Sequence, residues 1–247
     1  MNVACAVSSM SEDYKRWFKD LTIIGHEDNV PKNLDLLILT GGGDISPERY
    51  RDGYHGTHYT DPERDEREFN ILERALTVNP TTKILGVCRG LQLLNVYGGG
   101  NLIQDIDTVK KGHLRVHSLI HTVTINQFSW LGRVNSLHHQ AIKRLGMLCG
   151  CTPVVLAVEP VTNIPEMVSW GRIALGVQFH PEMFDDDLGN RFFSIINNWV
   201  KQGDYLYDKV SISRMDYYEE DNLDTGEDDP DDIHIEDDQE DEDDPQL

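Results

Sequence analysis

The chain is short of apolar residues, of cysteine and of long hydrophobic runs, and each shortage excludes something. Hydrophobic residues make up 39% of its 247 positions, which is low for a compact domain throughout. No stretch approaches the roughly 18 apolar residues of a membrane span. No charged-then-apolar leader opens the chain. These absences predict a soluble, cytoplasmic protein without membrane contact. The four cysteines, Cys5, Cys88, Cys149 and Cys151, are expected to stay reduced in the cytosol, so disulfides are not expected. Cys149 and Cys151 are too close for an easy disulfide, and no second pair completes a zinc site. Neither Gly-x-Gly-x-x-Gly nor the Lys-Ser/Thr of a P-loop occurs. No cofactor is expected, and there are no internal repeats.

Positive charge is missing from one end. Asp216–Leu247 holds eighteen Asp and Glu and no Lys or Arg. Residues 1–215 then carry 25 acids against 22 bases, so nearly all of the formal charge of −21 lies in the tail. The reading is a near-neutral domain over 1–203, a linker over 204–215 and a disordered acidic tail over 216–247. The tail is read first as a solvating segment. Its functional alternative is contact with a basic protein surface. Direct nucleic-acid binding is not expected.

Strands and helices alternate early, and strands dominate later. Asn2–Val7, Leu21–Ile24 and Leu34–Thr40 read as strands. The last is a continuous apolar run of the kind buried on both faces of a parallel sheet. Ser11 is expected to cap a helix through Asp20. Residues 61–79 read as a helix with Phe69, Leu72 and Leu76 on its buried face. Beyond residue 100, Val116–Ile125, Val134–Ser136, Val154–Val158, Glu166–Ser169 and Ile173–Phe179 have strand character, and Asn190–Val200 reads as a final helix. The order predicts an α/β fold, an open sheet with an antiparallel extension.

The chemistry centres on Ile84-Leu-Gly-Val-Cys88-Arg-Gly90. A short apolar strand runs into Cys88, glycines flank it two residues away on each side, and a helical run follows. This is the thiol form of a nucleophile elbow, in which a strained side chain is pushed out between strand and helix. It also places the cysteine at a helix N-terminus, where peptide dipoles favour an anion. A buried structural thiol is the alternative. A nucleophile needs a base, and the base needs an orienting group. His180 ends the apolar run Gly176–Phe179, Pro181 fixes the turn after it, and Glu182 can return a carboxylate to its ring. The amide of Arg89, together with Gly42 or Gly43 of the Gly41-Gly42-Gly43 loop, can supply oxyanion donors.

Six blocks then occur in order: Leu39-Thr-Gly-Gly-Gly-Asp-Ile45, Asp61-x-x-Arg-Asp-x-x-Glu68, Gly86-Val-Cys-Arg-Gly-x-Gln92, Leu102-x-Gln-Asp105, Val134-Asn-Ser-x-His-His-Gln140 and Gly176-Val-Gln-Phe-His-Pro-Glu182. Together they resemble the class I glutamine amidotransferase superfamily, in its gamma-glutamyl hydrolase branch. The resemblance implies a flavodoxin-like, mostly parallel open sheet flanked by helices. It also implies a Cys88–His180–Glu182 triad that hydrolyses a gamma-glutamyl amide through a thioester, with a small-molecule gamma-glutamyl substrate. By the same analogy Gln92, His138, His139 and Gln140 line the glutamyl pocket, and Arg64 has a substrate-loop or scaffold role. A surface ion pair is the other reading of Arg64. The chain departs from the branch in its short stretch before Gly41 and in Glu159–Pro165, which lacks an Asp-Gly turn.

Three alternatives compete. A glutaminase subunit would pass ammonia to a partner synthetase. A non-catalytic binding module would act through the tail, although it would have no need of Cys88, His180 and Glu182 together. His113, His117 and His121, spaced four apart, would share one helix face as metal ligands. The strand-like alternation of His121–Ile125 opposes that, and no metal is expected.

Overall fold

The computed structural model describes residues 1–25, 29–109, 116–121 and 127–207, all within one compact unit. In chain order its elements are β1 (Val3–Ala6), β2 (Thr22–Ile24), β3 (Leu36–Leu39), α1 (Pro62–Val78), β4 (Lys83–Val87) and α2 (Arg89–Tyr97). There follow β5 (Asn101–Ile103), α3 (Ile106–Val109), β6 (Val116–Ser118), β7 (Ile120–His121), β8 (Arg133–Asn135) and β9 (Ala141–Arg144). The last are β10 (Pro153–Val158), β11 (Pro165–Trp170), β12 (Ala174–Val177) and α4 (Asp186–Gln202). The main sheet runs β2-β1-β3-β4-β12-β11-β10-β7. From β2 to β12 neighbouring strands are parallel, and β11, β10 and β7 extend the sheet antiparallel. This is the flavodoxin-like sheet with the expected antiparallel extension.

The strands are apolar at successive positions because both faces are covered. Val3, Cys5, Leu36, Ile38, Leu85, Val87, Leu175 and Val177 join one core, with Phe192, Phe193, Ile196 and Trp199 of α4. Their alternate neighbours Ala4, Ala6, Leu37, Leu39 and Ile84 join the other, with Ile71, Leu72 and Ala75 of α1 and Leu91 and Leu94 of α2. That is the period of two expected of a strand. Side-chain caps start both long helices. Asp61 accepts from the Arg64 amide at 2.9 Å and Asp185 from the Leu188 amide at 2.9 Å. Such caps contribute about 0.5–2 kcal/mol each. No described helix is long and apolar enough to cross a membrane.

Several local expectations change. Ser11 does not cap a helix through Asp20. It opens a 3-10 turn, Ser11–Arg16, because its hydroxyl turns back to the carbonyls of Ser8 (2.9 Å) and Ala6 (3.2 Å). The buried side of α1 is Arg64, Asp65, Glu68, Ile71, Leu72 and Ala75, while Phe69 and Leu76 are only partly buried. Three charged residues take the inward face because they find one another there, as described below. The final helix starts four residues earlier than the apolar pattern suggests. His117 and His121 lie in strands β6 and β7, so no helical face unites them. His113, residues 122–125, 208–215 of the linker and the whole tail lie outside the described residues.

Two departures from the family pattern have local explanations. The β1–β2 connection is reduced to the 3-10 turn, and no helix occurs between β2 and β3 among the described residues. In Glu159–Pro165 the Glu159 carboxylate takes the amides of Val161 (3.1 Å) and Thr162 (2.6 Å). Asn163 supplies the positive φ of 56°. A side-chain-capped turn thus does what Asp-Gly would have done.

Candidate active site

Cys88 sits between β4 and α2 with φ 52° and ψ −106°, a conformation that costs a non-glycine residue about 1–3 kcal/mol. Its amide donates to the Val177 carbonyl of β12 at 2.7 Å. The flanking glycines are required by packing. A Cβ on Gly90 would strike the Leu39 carbonyl of β3, and one on Gly86 would lie 2.6 Å from the Gly90 backbone. The helix therefore starts hard against two strands. The cysteine is held 5% exposed at the carboxyl edge of the parallel sheet, where open α/β sheets build sites.

His180 follows β12, and Pro181–Met183 forms a 3-10 turn that carries Glu182 back beneath it. Glu182 Oε1 accepts from His180 Nδ1 at 2.7 Å. The His180 backbone is pinned on both sides by Asn135 of β8: its amide donates to Oδ1 (2.8 Å) and its carbonyl accepts from Nδ2 (3.0 Å). Burial alone would pull the imidazole down. Its hydrogen bonding and charge interactions with Cys88 and Glu182 outweigh that and push His180 up to about 10. The other oxygen, Glu182 Oε2, is buried, as is the Tyr14 hydroxyl. Burial pushes the Tyr14 phenol well up, and the Glu182 charge beside it adds to the effect. Tyr14 reaches this position from the Ser11–Arg16 3-10 turn, with no motif to mark it in the sequence.

The Gly41–Gly43 loop leaves β3 and passes against His180, where a Cβ on Gly41 would lie 2.5 Å from Cε1. Gly42 has φ 146°, and a Cβ there would strike the Arg64 guanidinium. One on Gly43 would meet the Tyr59 carbonyl. Beneath the loop lies a buried lattice of four charges. Arg64 Nε donates to Glu68 Oε1 at 2.7 Å, and Arg89 pairs with both Glu68 Oε2 and Asp65 Oδ1. Asp65 Oδ2 accepts the Ser46 amide at 2.9 Å. Arg64 is thus 9% exposed and not part of a surface ion pair. The Arg89 side chain is turned into the protein, towards Asp65 and Glu68.

The other expected residues form a polar chain leading away from Cys88. Gln178 Nε2 lies 3.6 Å from Cys88 Sγ, and Gln178 Oε1 accepts from Gln92 Nε2 at 3.3 Å. Gln92 also donates to the Gln140 carbonyl (3.1 Å), and Gln140 Nε2 to Thr57 Oγ1 (3.1 Å). Gln140 Oε1 is buried and completes no hydrogen bond among the described residues. His138 points inward, its side chain 2% exposed, with Nδ1 donating to the Gln140 carbonyl at 2.8 Å and Nε2 3.7 Å from Glu166 Oε1. His139 is half-exposed, 2.9 Å from Asp44, and stacks on His58. Sequence reasoning misses Gln178. Its only signal is a lone amide in the apolar run Gly176–Phe179, two residues before His180.

Comparison with known proteins gives the chain's family. A model of the family described as Peptidase C26 matches residues 25–182. The chain belongs to the Peptidase C26 family. The match ends on Glu182 and spans every residue of the site but Tyr14. Within this family's wider setting, the class I glutamine amidotransferase-like superfamily, the chain is 40% identical over 168 residues to YvdE, a glutamine amidotransferase-like protein of Lactococcus lactis. That alignment covers 60% of this chain and 66% of YvdE. It is 36% identical over 168 residues to protein NtpR of Enterococcus hirae, covering 61% and 67%. The C26 chain thus spans about two thirds of the length of these curated relatives. The crystal structure of a glutamine amidotransferase from Thermotoga maritima aligns with a TM-score of 0.53 and 17% identity, over 82% of this chain and 84% of that one. That likeness is one of fold.

Proposed function

We propose that the protein is a cysteine-dependent hydrolase of gamma-glutamyl amides. Membership of the Peptidase C26 family supports a cysteine-dependent amidase or amidotransferase activity. The observation that carries the finer reading is the His180 Nδ1–Glu182 Oε1 hydrogen bond of 2.7 Å behind a positive-φ elbow cysteine. Nucleophile, base and orienter stand in the order that acyl transfer needs.

In this mechanism Cys88 Sγ, its proton already passed to His180, attacks the gamma-carbonyl as a thiolate beside the imidazolium. The tetrahedral oxyanion rests on the amides of Arg89 and of Gly42 or Gly43. His180 then donates a proton to the departing amine and the C–N bond breaks, leaving a glutamyl thioester on Cys88. Water, deprotonated by His180, attacks that thioester and releases glutamate and the free thiol. Glu182 holds the imidazole in one tautomer and offsets its charge. Gln92, His139 and Gln140 surround the glutamyl group, and the unfilled acceptor Gln140 Oε1 suits its ammonium. These steps call for no cofactor or metal.

A second reading is a glutaminase that delivers ammonia to a partner synthetase, which the description of YvdE as amidotransferase-like favours. One experiment separates them. The protein is incubated with glutamine and with a panel of gamma-glutamyl amines, and glutamate is measured. Turnover of a gamma-glutamyl amine by the protein alone is expected. Turnover of glutamine only after another protein is added favours the amidotransferase. No turnover of anything, with Cys88 inert to iodoacetamide, overturns both.

A further inference from the structure

Two of the three guanidinium nitrogens of Arg64 are bonded within the protein. Nη2 donates to the Gly41 carbonyl at 2.8 Å and to Thr40 Oγ1 at 3.2 Å, and Nε to Glu68 at 2.7 Å. In a trans peptide the carbonyl and the following N–H point in opposite directions. With the Gly41 carbonyl turned towards Arg64 and α1, the Gly42 N–H is turned away from α1. Helix α1 packs on one face of the sheet, with Ile71, Leu72 and Ala75 in its core. Cys88 belongs to the core of the opposite face, with Phe179 and Tyr14. The Gly42 N–H therefore points to the side on which the thiol stands, beside the His180 ring that borders Gly41. Gly42 must be glycine for the same reason, since a Cβ there would occupy the place of the guanidinium.

We infer that Arg64 is a positioning residue. It holds the Gly41–Gly42 peptide in the one orientation that presents the Gly42 amide to an oxyanion on the Cys88 adduct, and Gly42 rather than Gly43 is the donor from this loop. Glu68 ties this loop to the second donor. One of its oxygens takes Arg64, and the other takes Arg89, whose amide opens α2. A single buried carboxylate thus bridges the two halves of the oxyanion site. Asp65 repeats the bridge, joining the Ser46 amide of the loop to Arg89.

The inference rests on Cys88 being an amidase nucleophile, so turnover by the wild-type full chain is established first, with gamma-glutamyl-4-nitroanilide as probe. Its absence, together with silence towards the amine panel, overturns that reading and this inference with it. Given turnover, Arg64→Ala is expected to lower kcat by roughly 10²–10³-fold, the effect of losing one oxyanion donor. KM should change little, because the donor matters most in the transition state. Alkylation of Cys88 by iodoacetamide passes through no oxyanion and should keep its wild-type rate. Added guanidinium should restore part of kcat. A raised KM with unchanged kcat would make Arg64 a substrate ligand and overturn the inference. Equal losses of kcat and alkylation rate would make it a fold residue only and would overturn the inference as well. Should Arg64→Ala fail to fold, Arg64→Lys carries the same comparison, with kcat taken per alkylatable Cys88.

Discussion

Gln178 Nε2 lies 3.6 Å from Cys88 Sγ, and both groups are buried. An amide N–H aimed at a sulfur stabilises negative charge on it, and charged hydrogen bonds are the stronger ones. Gln178→Leu should therefore slow iodoacetamide alkylation of Cys88 at fixed neutral pH and lower kcat/KM by about tenfold, the equivalent of ~1.4 kcal/mol. Unchanged alkylation would show that the contact does not act on the sulfur.

The strain at Cys88 predicts a stability difference between two inactive variants. Cys88→Ala and Cys88→Gly should both abolish turnover. With φ at 52°, glycine relieves a conformation that alanine does not. The glycine variant should be more stable than the alanine variant by about 1 kcal/mol despite its freer unfolded chain. Urea melts of the pair test this, and a less stable glycine variant would argue against a strained elbow.

The pH dependence follows from His180, held up to about 10 by Cys88 and Glu182 against the opposing effect of burial. The folded value exceeds the usual 6.5. Its contribution to stability is therefore fully present below about 6.5 and is lost as pH rises through about 10. The imidazolium is also the donor to the leaving amine. Turnover should hold through neutral pH and fall as pH passes 10. Glu182→Gln removes one of the raising interactions and should move that falling limb to lower pH. A limb that stays in place would separate Glu182 from the titration.

Glu68 shares its carboxylate between Arg64 and Arg89 and is fully buried. Removing one partner from a buried ionic set leaves uncompensated charge and costs about 3–5 kcal/mol. Glu68→Gln should show that loss in a denaturant melt. A loss under about 1 kcal/mol, the range of exposed pairs, would mean that solvent reaches the lattice.

Deleting residues 216–247 should leave turnover of a small gamma-glutamyl amide nearly unchanged. A large loss of kcat/KM would give the acidic tail a part in the site beyond solvation.

The sheet and the elbow are legible in the sequence because their signals are local. Continuous apolar runs mark β3 and β4, and Gly86-x-Cys88-x-Gly90 and His180-x-Glu182 each lie within five residues. The inward face of α1 is not legible. Amphipathic reasoning sends Arg64, Asp65 and Glu68 to water, and only the three-dimensional meeting with Arg89, more than twenty residues on, reverses that. Ser11 fails as a cap for a similar reason, since the carbonyls of Ala6 and Ser8 compete for its hydroxyl. Gln178 and Tyr14 acquire their roles from contacts that no spacing records. The glycine loop stands out by composition, but the arginine bonded to its Gly41 carbonyl comes from the next helix.

The charge lattice also bears on how the protein responds to ionic strength. Dissolved ions screen exposed charges over about 8–10 Å at physiological concentrations and reach buried pairs far less. Arg89, Asp65 and Glu68 are at most 2% exposed. Added salt should therefore leave the spacing between loop and elbow as it is. The protein has placed its framework charges out of reach of the medium.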